Sequence, residues 1–199
     1  MGKLLNYHRF ENFLKPDLAQ DLLHYCIRNR DYFKEATVNK GAMNIISKDY
    51  RSSLVYRDLG EFKDQITASV TEVVPEIFDK LQISPFTIKA FETEIAAHGN
   101  GAFFKEHIDT LTGKVDREKA RAISVVYYFF SEPKQFEGGE LRLIPVEFIS
   151  GDDKAIALTP LHNSLLVFPS FAPHEVLPIR CPNVEFSGWR FTVNCWIYK

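Results

Sequence analysis

The sequence predicts an α+β protein that is mainly β: a double-stranded β-helix (jelly roll) with an N-terminal helical layer packed on one sheet. Helical periodicity is confined to residues 1–84, and short strand-like runs separated by turn residues fill the rest. Helices followed by many short strands are typical of helices packed on one face of an antiparallel sandwich or barrel. A chain of 199 residues suits one domain. We therefore expect a single domain, with 1–84 as a helical support region and 85–199 as the jelly-roll core.

Two amphipathic segments account for the helical layer. The first begins near Pro16, which suits a first helical turn, and the second runs from about Glu61 to Leu81. Pro75 interrupts the second segment, so we expect a kink or two abutting helices there. The apolar positions at helical spacing are Leu18, Leu22, Leu23, Cys26 and Ile27, then Phe62, Ile66, Val70, Val73, Ile77 and Leu81.

The segment 36–57 between these helices is polar and carries Lys40, Lys48, Arg51 and Arg57. Its composition predicts a solvated loop, with a substrate-facing lid as the alternative.

Eight runs from Phe86 onward have the composition of strands, and no helical pattern alternates with them, which argues against a parallel α/β fold. The runs are FTIKAFETEIAAH, FFKEHID, RAISVVYYFF, GELRLIPV, AIALTP, SLLVFPS, HEVLPIR and WRFTVNCWIY.

Composition excludes several classes of partner. The formal net charge of -2 provides no field that favours nucleic acid or an anionic membrane, and no apolar run is long enough to span a bilayer. The three cysteines are an odd number without a C-x-x-C pair, so we interpret them as reduced thiols of a cytoplasmic protein.

The motif H-x-D at His107 and Asp109 is the first candidate site. In an extended strand, residues i and i+2 point to the same face, so both side chains converge while Ile108 points away into packing. One imidazole beside one carboxylate provides two of the three ligands of a 2-His-1-carboxylate iron site.

His174 is the candidate for the third ligand. It follows an apolar run ended by prolines and begins the next strand, so it can reach a site on another strand. A surface histidine remains the alternative, and His162 has the setting of a turn residue.

Arg190 places a positive charge at the start of a strand in which polar and apolar residues alternate. A buried guanidinium is costly unless it is paired, and its donors match a carboxylate in bidentate geometry. The partner is either a protein carboxylate or, beside an iron site, a carboxylate co-substrate.

These motifs together resemble the 2-oxoglutarate- and Fe(II)-dependent dioxygenases of the prolyl 4-hydroxylase type. GNGAFFKEHID is similar to that family's glycine-containing approach to H-x-D, and RAISVVYYFFSEP to its strand ending in tyrosine. FEGGELRL resembles its G-G-x-L strand, SLLVFPSFAPHEVLPI its strand leading to the distal histidine, and WRFTVNCW its closing strand. FENFLKPDLAQDLL resembles the N-terminal helix opening more loosely.

The resemblance implies roles for individual residues. His107, Asp109 and His174 would bind Fe(II), and Arg190 would pair with the distal carboxylate of 2-oxoglutarate with help from the Tyr128 hydroxyl. Arg121 falls where relatives place a cation near the substrate entrance. Because halogenases of this superfamily carry a small residue in place of the aspartate, retention of Asp109 favours hydroxylation.

The implied reaction is hydroxylation of an unactivated C–H bond by O2, coupled to decarboxylation of 2-oxoglutarate to succinate and CO2, with ascorbate as a possible reductant. The expected substrate is a prolyl or other amino-acid side chain in a protein or peptide. A free amino acid or small-molecule natural product, or a non-catalytic metal-binding jelly-roll module, is the alternative. A zinc hydrolase is disfavoured, because the sequence has no HExxH-like motif.

The chain departs from the family pattern at two places. Where several relatives carry a tyrosine shortly before the glycines, it has Ala97 and His98, so the second co-substrate tyrosine is missing or replaced. The segment between His174 and Arg190 is also longer, with CPNVEFSG added.

Overall fold

A computed structural model describes residues 6–40, 43–110, 120–146 and 154–199. Its helices are α1 (Pro16–Arg28) and α2 (Phe62–Leu81). Its strands are β1 (His8–Glu11), β2 (Lys34–Glu35), β3 (Val38–Lys40), β4 (Met43–Ile45), β5 (Arg51–Ser52), β6 (Leu54–Tyr56), β7 (Ala90–His98), β8 (Phe103–His107), β9 (Arg121–Phe129), β10 (Glu137–Gly138), β11 (Leu141–Leu143), β12 (Ile156–Leu158), β13 (Ser164–Pro169), β14 (His174–Val176), β15 (Ile179–Arg180) and β16 (Arg190–Tyr198).

Two antiparallel sheets form the double-stranded β-helix. The larger sheet has the strand order β1-β13-β9-β16-β7-β6-β2, and the smaller sheet has the order β12-β11-β14-β8-β5. Two short pairs, β3–β4 and β10–β15, lie outside these sheets. Leu166 and Phe168 of the larger sheet share a buried cluster with Leu141 and Leu143 of the smaller one, so the two sheets pack face to face.

The helical layer packs on the outer face of the larger sheet. Ile66, Val70 and Ile77 of α2 are buried in one cluster with Ile95 and Val193 of the sheet. This burial removes the apolar stripe of the helix from water, which is the main source of helix stability in a folded protein. The predicted helical layer on one sheet is therefore confirmed.

The proline in α2 does not divide the helix, because one continuous helix runs through Pro75 to Leu81. Proline leaves one backbone carbonyl without its helical donor, but Val74, Ile77 and Phe78 on either side are buried and hold the helix together. The buried stripe includes Val74, whereas Val73 is only partly buried.

The N-terminal part of the chain also contributes strands that the sequence pattern did not reveal. β1 pairs with β13, β6 pairs with β7, and β5 pairs with β8. These strands have two to four residues, too few to show an alternation of apolar and polar side chains. The segment 36–57 is thus built into both sheets, and the solvated-loop interpretation is wrong for β5 and β6.

The eight strand-like runs from residue 86 onward all contain strands, although most strands are shorter than the runs, and HEVLPIR is divided between β14 and β15. In the part of the chain that the structure describes, neither helix has the length and apolar character that crossing a bilayer requires.

The packing of α2 predicts the effect of truncating its buried face. Ile77 is fully buried, so Ile77→Ala should lower the free energy of unfolding by about 2–5 kcal/mol, because it loses apolar contacts and leaves a cavity. Chemical denaturation followed by far-UV circular dichroism measures this, and we expect one transition because helices and sheet share one core. The exposed Glu72→Ala on the same helix is the control, with an expected change within about 0.5 kcal/mol. Equal effects of both variants would contradict this packing.

Candidate active site

Neighbouring strands of the smaller sheet bring His107, Asp109 and His174 together. His107 ends β8, His174 begins β14, and the two residues lie directly opposite each other in the register. Asp109 follows two residues after the end of β8, and its backbone N–H donates to Ser170 O at 2.9 Å. One ligand atom from each of the three side chains lies within 4.8 Å of the other two. The convergence predicted from H-x-D and a distant histidine is present in the structure.

Both imidazoles are oriented by backbone carbonyls. His107 Nδ1 lies 2.8 Å from Lys105 O, and His174 Nδ1 lies 2.9 Å from Ala172 O. Because a carbonyl only accepts, each Nδ1 carries the proton and each Nε2 keeps a free lone pair. The Nε2 atoms of His107 and His174 lie 3.7 Å and 3.6 Å from the Asp109 carboxylate oxygens. Two nitrogen lone pairs and one carboxylate thus point into the same space, a donor set that suits Fe(II).

The Asp109 carboxylate is held by a serine from the larger sheet. Ser124 Oγ donates to Asp109 Oδ2 at 2.6 Å and also contacts Ser170 Oγ at 2.9 Å. Burial alone would raise the pKa of Asp109, but the His174 and His107 rings and the Ser124 hydrogen bond outweigh it and hold the pKa below its usual value. Asp109 is therefore ionised and oriented.

The imidazole of His107 is neutral at physiological pH. Burial and the adjacent His174 lower its pKa to about 3. Phe104 stacks on the His107 ring with centroids 3.6 Å apart, and Phe168 meets the His174 ring edge-on at 4.7 Å. Aromatic packing fixes both rings, and the low pKa keeps His107 available as a neutral ligand.

Arg190, at the start of β16, is 1% exposed and has no ion-pair partner among the described residues. Its Nη1 donates to Gly139 O at 2.8 Å, but its Nε has no partner in the described part of the chain. Burial lowers the Arg190 pKa, and the attraction of Tyr128 and Glu140 offsets part of this effect. The guanidinium nevertheless stays charged. Among the described residues, this buried cation therefore has a backbone carbonyl as a partner but no carboxylate.

The pair Gly138–Gly139 allows the backbone to approach Arg190. Both glycines have positive φ, +74° and +72°, and a Cβ on Gly138 would lie 2.3 Å from Pro178 O. A side chain on Gly139 would meet Ile179 at 2.7 Å. The hydrogen bond from Arg190 to Gly139 O depends on this close approach of the backbone.

Several buried polar atoms without a partner face one cavity. Besides Arg190 Nε, they are the Tyr128 hydroxyl, Thr192 Oγ1 and His98 Nδ1, each without a hydrogen-bond partner among the described residues. All four residues line the same cavity as His107, Asp109 and His174. Burial raises the pKa of Tyr128, which keeps its hydroxyl protonated as a donor. Unpartnered donors around a buried cation fit an oxygen-rich anion beside the metal site.

Three other residues have surroundings that the sequence pattern did not show. Ile108 was expected to pack but is 40% exposed, because β8 ends at His107 and the chain turns there. Arg121 is held by Glu92 at 2.6 Å and stacks over Trp196, so its charge is paired within the fold. Arg51 was missed because its segment has loop composition, yet it lines the cavity and lies 4.8 Å above the Phe104 ring.

Comparisons with known proteins agree with this geometry. Residues 93–198, more than half of the chain, match the family model of the 2OG-Fe(II) oxygenase superfamily. An uncharacterized PKHD-type hydroxylase of Synechocystis sp. is 34% identical over 200 residues, covering 97% of this chain. The chain spans 63% of that relative's length.

Solved structures share the fold. A Pseudomonas putida prolyl-4-hydroxylase superposes with a TM-score of 0.70 at 25% identity, covering 98% of this chain and 92% of that one. A Trichoplax adhaerens prolyl hydroxylase, in complex with a hypoxia inducible factor oxygen degradation domain peptide fragment, gives 0.72 at 20% identity, covering 98% and 84%. With the family model matched over the strands that carry the candidate site, the chain belongs to the 2OG-Fe(II) oxygenase superfamily.

Proposed function

We propose that this protein is an Fe(II)- and 2-oxoglutarate-dependent hydroxylase in which His107, Asp109 and His174 hold the metal and Arg190 anchors the co-substrate. The observation that carries the proposal is the buried Arg190 guanidinium, which has no carboxylate partner in the described part of the chain and lines the same cavity as the His-Asp-His cluster. Either feature alone is compatible with a structural role, but a metal site beside an unpaired buried cation fits a metal-bound dicarboxylate. The proposed reaction converts C–H to C–OH with one oxygen atom of O2, while 2-oxoglutarate becomes succinate and CO2.

The metal ligands contribute by their charge and arrangement. Two neutral imidazoles and one carboxylate on one face of an ion leave positions open for the co-substrate and O2. Ser124 and the carbonyls of Lys105 and Ala172 restrict the rotation of the three ligand side chains. The chain therefore presents a site whose ligands need little rearrangement when the metal binds.

Arg190 and Tyr128 would hold the distal carboxylate of 2-oxoglutarate. The Arg190 carbon Cζ lies 5.4 Å from the centroid of the Tyr128 ring, so both groups border the same part of the cavity. A guanidinium donates two parallel hydrogen bonds to a carboxylate, and the protonated phenol adds another. The anion would also neutralise the buried charge.

A metal-binding module without catalysis explains less of the structure. Such a module needs the three ligands, but it gains nothing from a buried guanidinium that lacks an anion, because burying an unpaired charge is destabilising. In the hydroxylase, the carboxylate of the co-substrate would pair with Arg190 and offset the free-energy cost of burying its charge.

We propose a prolyl or other amino-acid side chain in a protein or peptide as the substrate. The Pseudomonas putida prolyl-4-hydroxylase that shares the fold supports this class. Three expectations from the sequence stay predictions: ascorbate as the reductant, a cytoplasmic location, and a single domain in which residues 1–84 support the core of residues 85–199. All three cysteines are free and buried, which fits reduced thiols in a cytoplasmic protein.

Replacement of Arg190 tests the co-substrate assignment. Loss of one partner of a buried charge pair costs roughly 2–5 kcal/mol. Arg190→Ala should therefore raise the Kd for 2-oxoglutarate by roughly 30-fold to several thousand-fold. Arg190→Lys should restore part of the affinity, because a point charge does not form the bidentate contact. The measurement is anaerobic titration of the Fe(II) charge-transfer band with 2-oxoglutarate. An alanine variant with wild-type affinity would show that another cation binds the co-substrate.

Removal of the ligand His174 and, separately, of the Ser124 hydroxyl that holds Asp109 tests the metal site. His174→Ala should abolish stoichiometric Fe(II) binding in equilibrium dialysis under anaerobic conditions. Ser124→Ala frees Asp109 to rotate and should weaken metal affinity by about 10- to 100-fold. The control is Ser69→Ala, a partly exposed serine of α2 whose hydroxyl donates to Gln65 O of the same helix. Wild-type affinity of His174→Ala would contradict the metal site.

Measurement of succinate release distinguishes a hydroxylase from a binding module without catalysis. With Fe(II), O2 and 2-oxoglutarate, the wild-type protein should release succinate even without substrate, and His174→Ala should release none. A library of proline-containing peptides incubated with the protein should then contain members whose mass increases by one oxygen atom. Release of no succinate by the metal-loaded wild type would contradict the enzyme assignment. Oxidation of free amino acids but of no peptide would favour the small-molecule alternative.

A further inference from the structure

His98, the last residue of β7, is a buried histidine with an unused nitrogen. It is 5% exposed, and its Nδ1 has no hydrogen-bond partner among the described residues. It lies directly opposite Arg190 in the β7–β16 register, and both side chains line the cavity. Its neighbour Ala97 instead belongs to the cluster that faces the helices. Of the two residues that stand where several relatives carry a tyrosine, only His98 reaches the cavity.

A purely structural role for His98 does not account for its unpartnered Nδ1. Buried polar side chains in folded proteins are nearly always hydrogen-bonded, and leaving one nitrogen bare costs free energy. Three other atoms of residues that line the same cavity also lack a hydrogen-bond partner among the described residues: the Tyr128 hydroxyl, Arg190 Nε and Thr192 Oγ1. Such a group of unsatisfied atoms indicates a bound molecule that satisfies them together.

The protonation state of the His98 ring depends on whether an anion is bound beside it. Burial and the positive charges of Arg190 and Arg51 lower the pKa of His98 well below its usual value, and a hydrogen bond with the Arg190 backbone offsets only part of this. The ring is therefore neutral before the co-substrate binds. Because a carboxylate only accepts hydrogen bonds, the contact needs a proton on Nδ1. A dianion bound beside the ring would oppose the repulsion from both arginines and favour a proton there.

We propose that His98 binds the 2-oxo dicarboxylate co-substrate through Nδ1, as a hydrogen-bonding substitute for the tyrosine of relatives. The inference rests on the proposed function. With Arg190 and Tyr128, His98 would be the third side chain that binds the co-substrate. It would thus take the role that a tyrosine has in several relatives.

The test compares three variants of the full chain loaded with Mn(II), with 2-oxoglutarate as the titrant in calorimetry. His98→Phe keeps an aromatic ring and removes both nitrogens. His98→Asn places an amide nitrogen near the position of Nδ1, whereas His98→Gln places one near Nε2. Thermal unfolding without metal or 2-oxoglutarate gives the second measurement. His24→Phe, which replaces an exposed histidine on α1, is the matched control.

We expect His98→Phe and His98→Gln to weaken 2-oxoglutarate binding by about 10- to 150-fold, the range for one hydrogen bond to a charged group. His98→Asn should keep most of the affinity. The Tm of ligand-free His98→Phe should stay close to the wild-type value, because removal of an unsatisfied buried polar atom offsets loss of the hydrogen bond to the Arg190 backbone. A purely structural histidine predicts a clearly lower Tm.

Wild-type affinity in His98→Phe would overturn the inference. A lowered ligand-free Tm with equal loss of affinity in all three variants would also overturn it, since that pattern indicates a role in folding. If His98→Phe does not fold, the comparison of His98→Asn with His98→Gln decides the same question. Failure of the metal-loaded wild type itself to bind 2-oxoglutarate would overturn the proposed function, and the inference with it. Loss of binding in Arg190→Ala with none in His98→Phe would remove only the inference.

Discussion

A full positive charge buried without a carboxylate partner among the described residues is the constraint on which the centre of this structure depends. Arg190 is 1% exposed and is satisfied only in part, by Gly139 O. The glycine pair, the neighbouring Tyr128 and the register that places His98 opposite Arg190 all shape the space around this charge. The fold tolerates the cost because large apolar clusters on the other side of the same strands contribute far more stability than one cation removes.

The strand β16 shows how one element serves stability and chemistry together. Phe191, Val193 and Cys195 face the helices and belong to the main core. Arg190, Thr192 and Asn194 face the cavity, with the opposite parity. Strand geometry separates the two functions, because successive side chains point to opposite faces of a sheet. A register shift of one residue would bury the polar set against the helices and expose the core to the cavity, so the long pairings of β16 with β7 and β9 fix both properties at once.

Residues whose chemistry follows from local spacing could be predicted from the sequence. The H-x-D pair, the histidine at a strand junction and Arg190 of an alternating strand line one cavity, together with Tyr128, which the family resemblance indicated. Other features depend on long-range pairing that no local pattern encodes. Arg51 enters the cavity because β5 adds to the edge of β8, and the exposure of Ile108 follows from where β8 ends. Ser124 carried a weak signal, since it shares the parity of Tyr128, but its hydrogen bond to Asp109 required the folded geometry.

His107 and His174 lie directly opposite each other on adjacent strands, and this placement has a consequence for the stability of the protein in the cell. An ion bound as proposed would join β8 to β14 and, through Asp109 and Ser124, the smaller sheet to the larger one. The smaller sheet consists of strands of two to five residues, and its buried cluster contains no helical residue in the described part of the chain. Metal binding then contributes to folding, because a ligand that binds only the native state stabilises it. Iron supply would set how long the smaller sheet resists proteolysis in the cell, so starvation for iron would reduce the amount of this protein as well as its turnover.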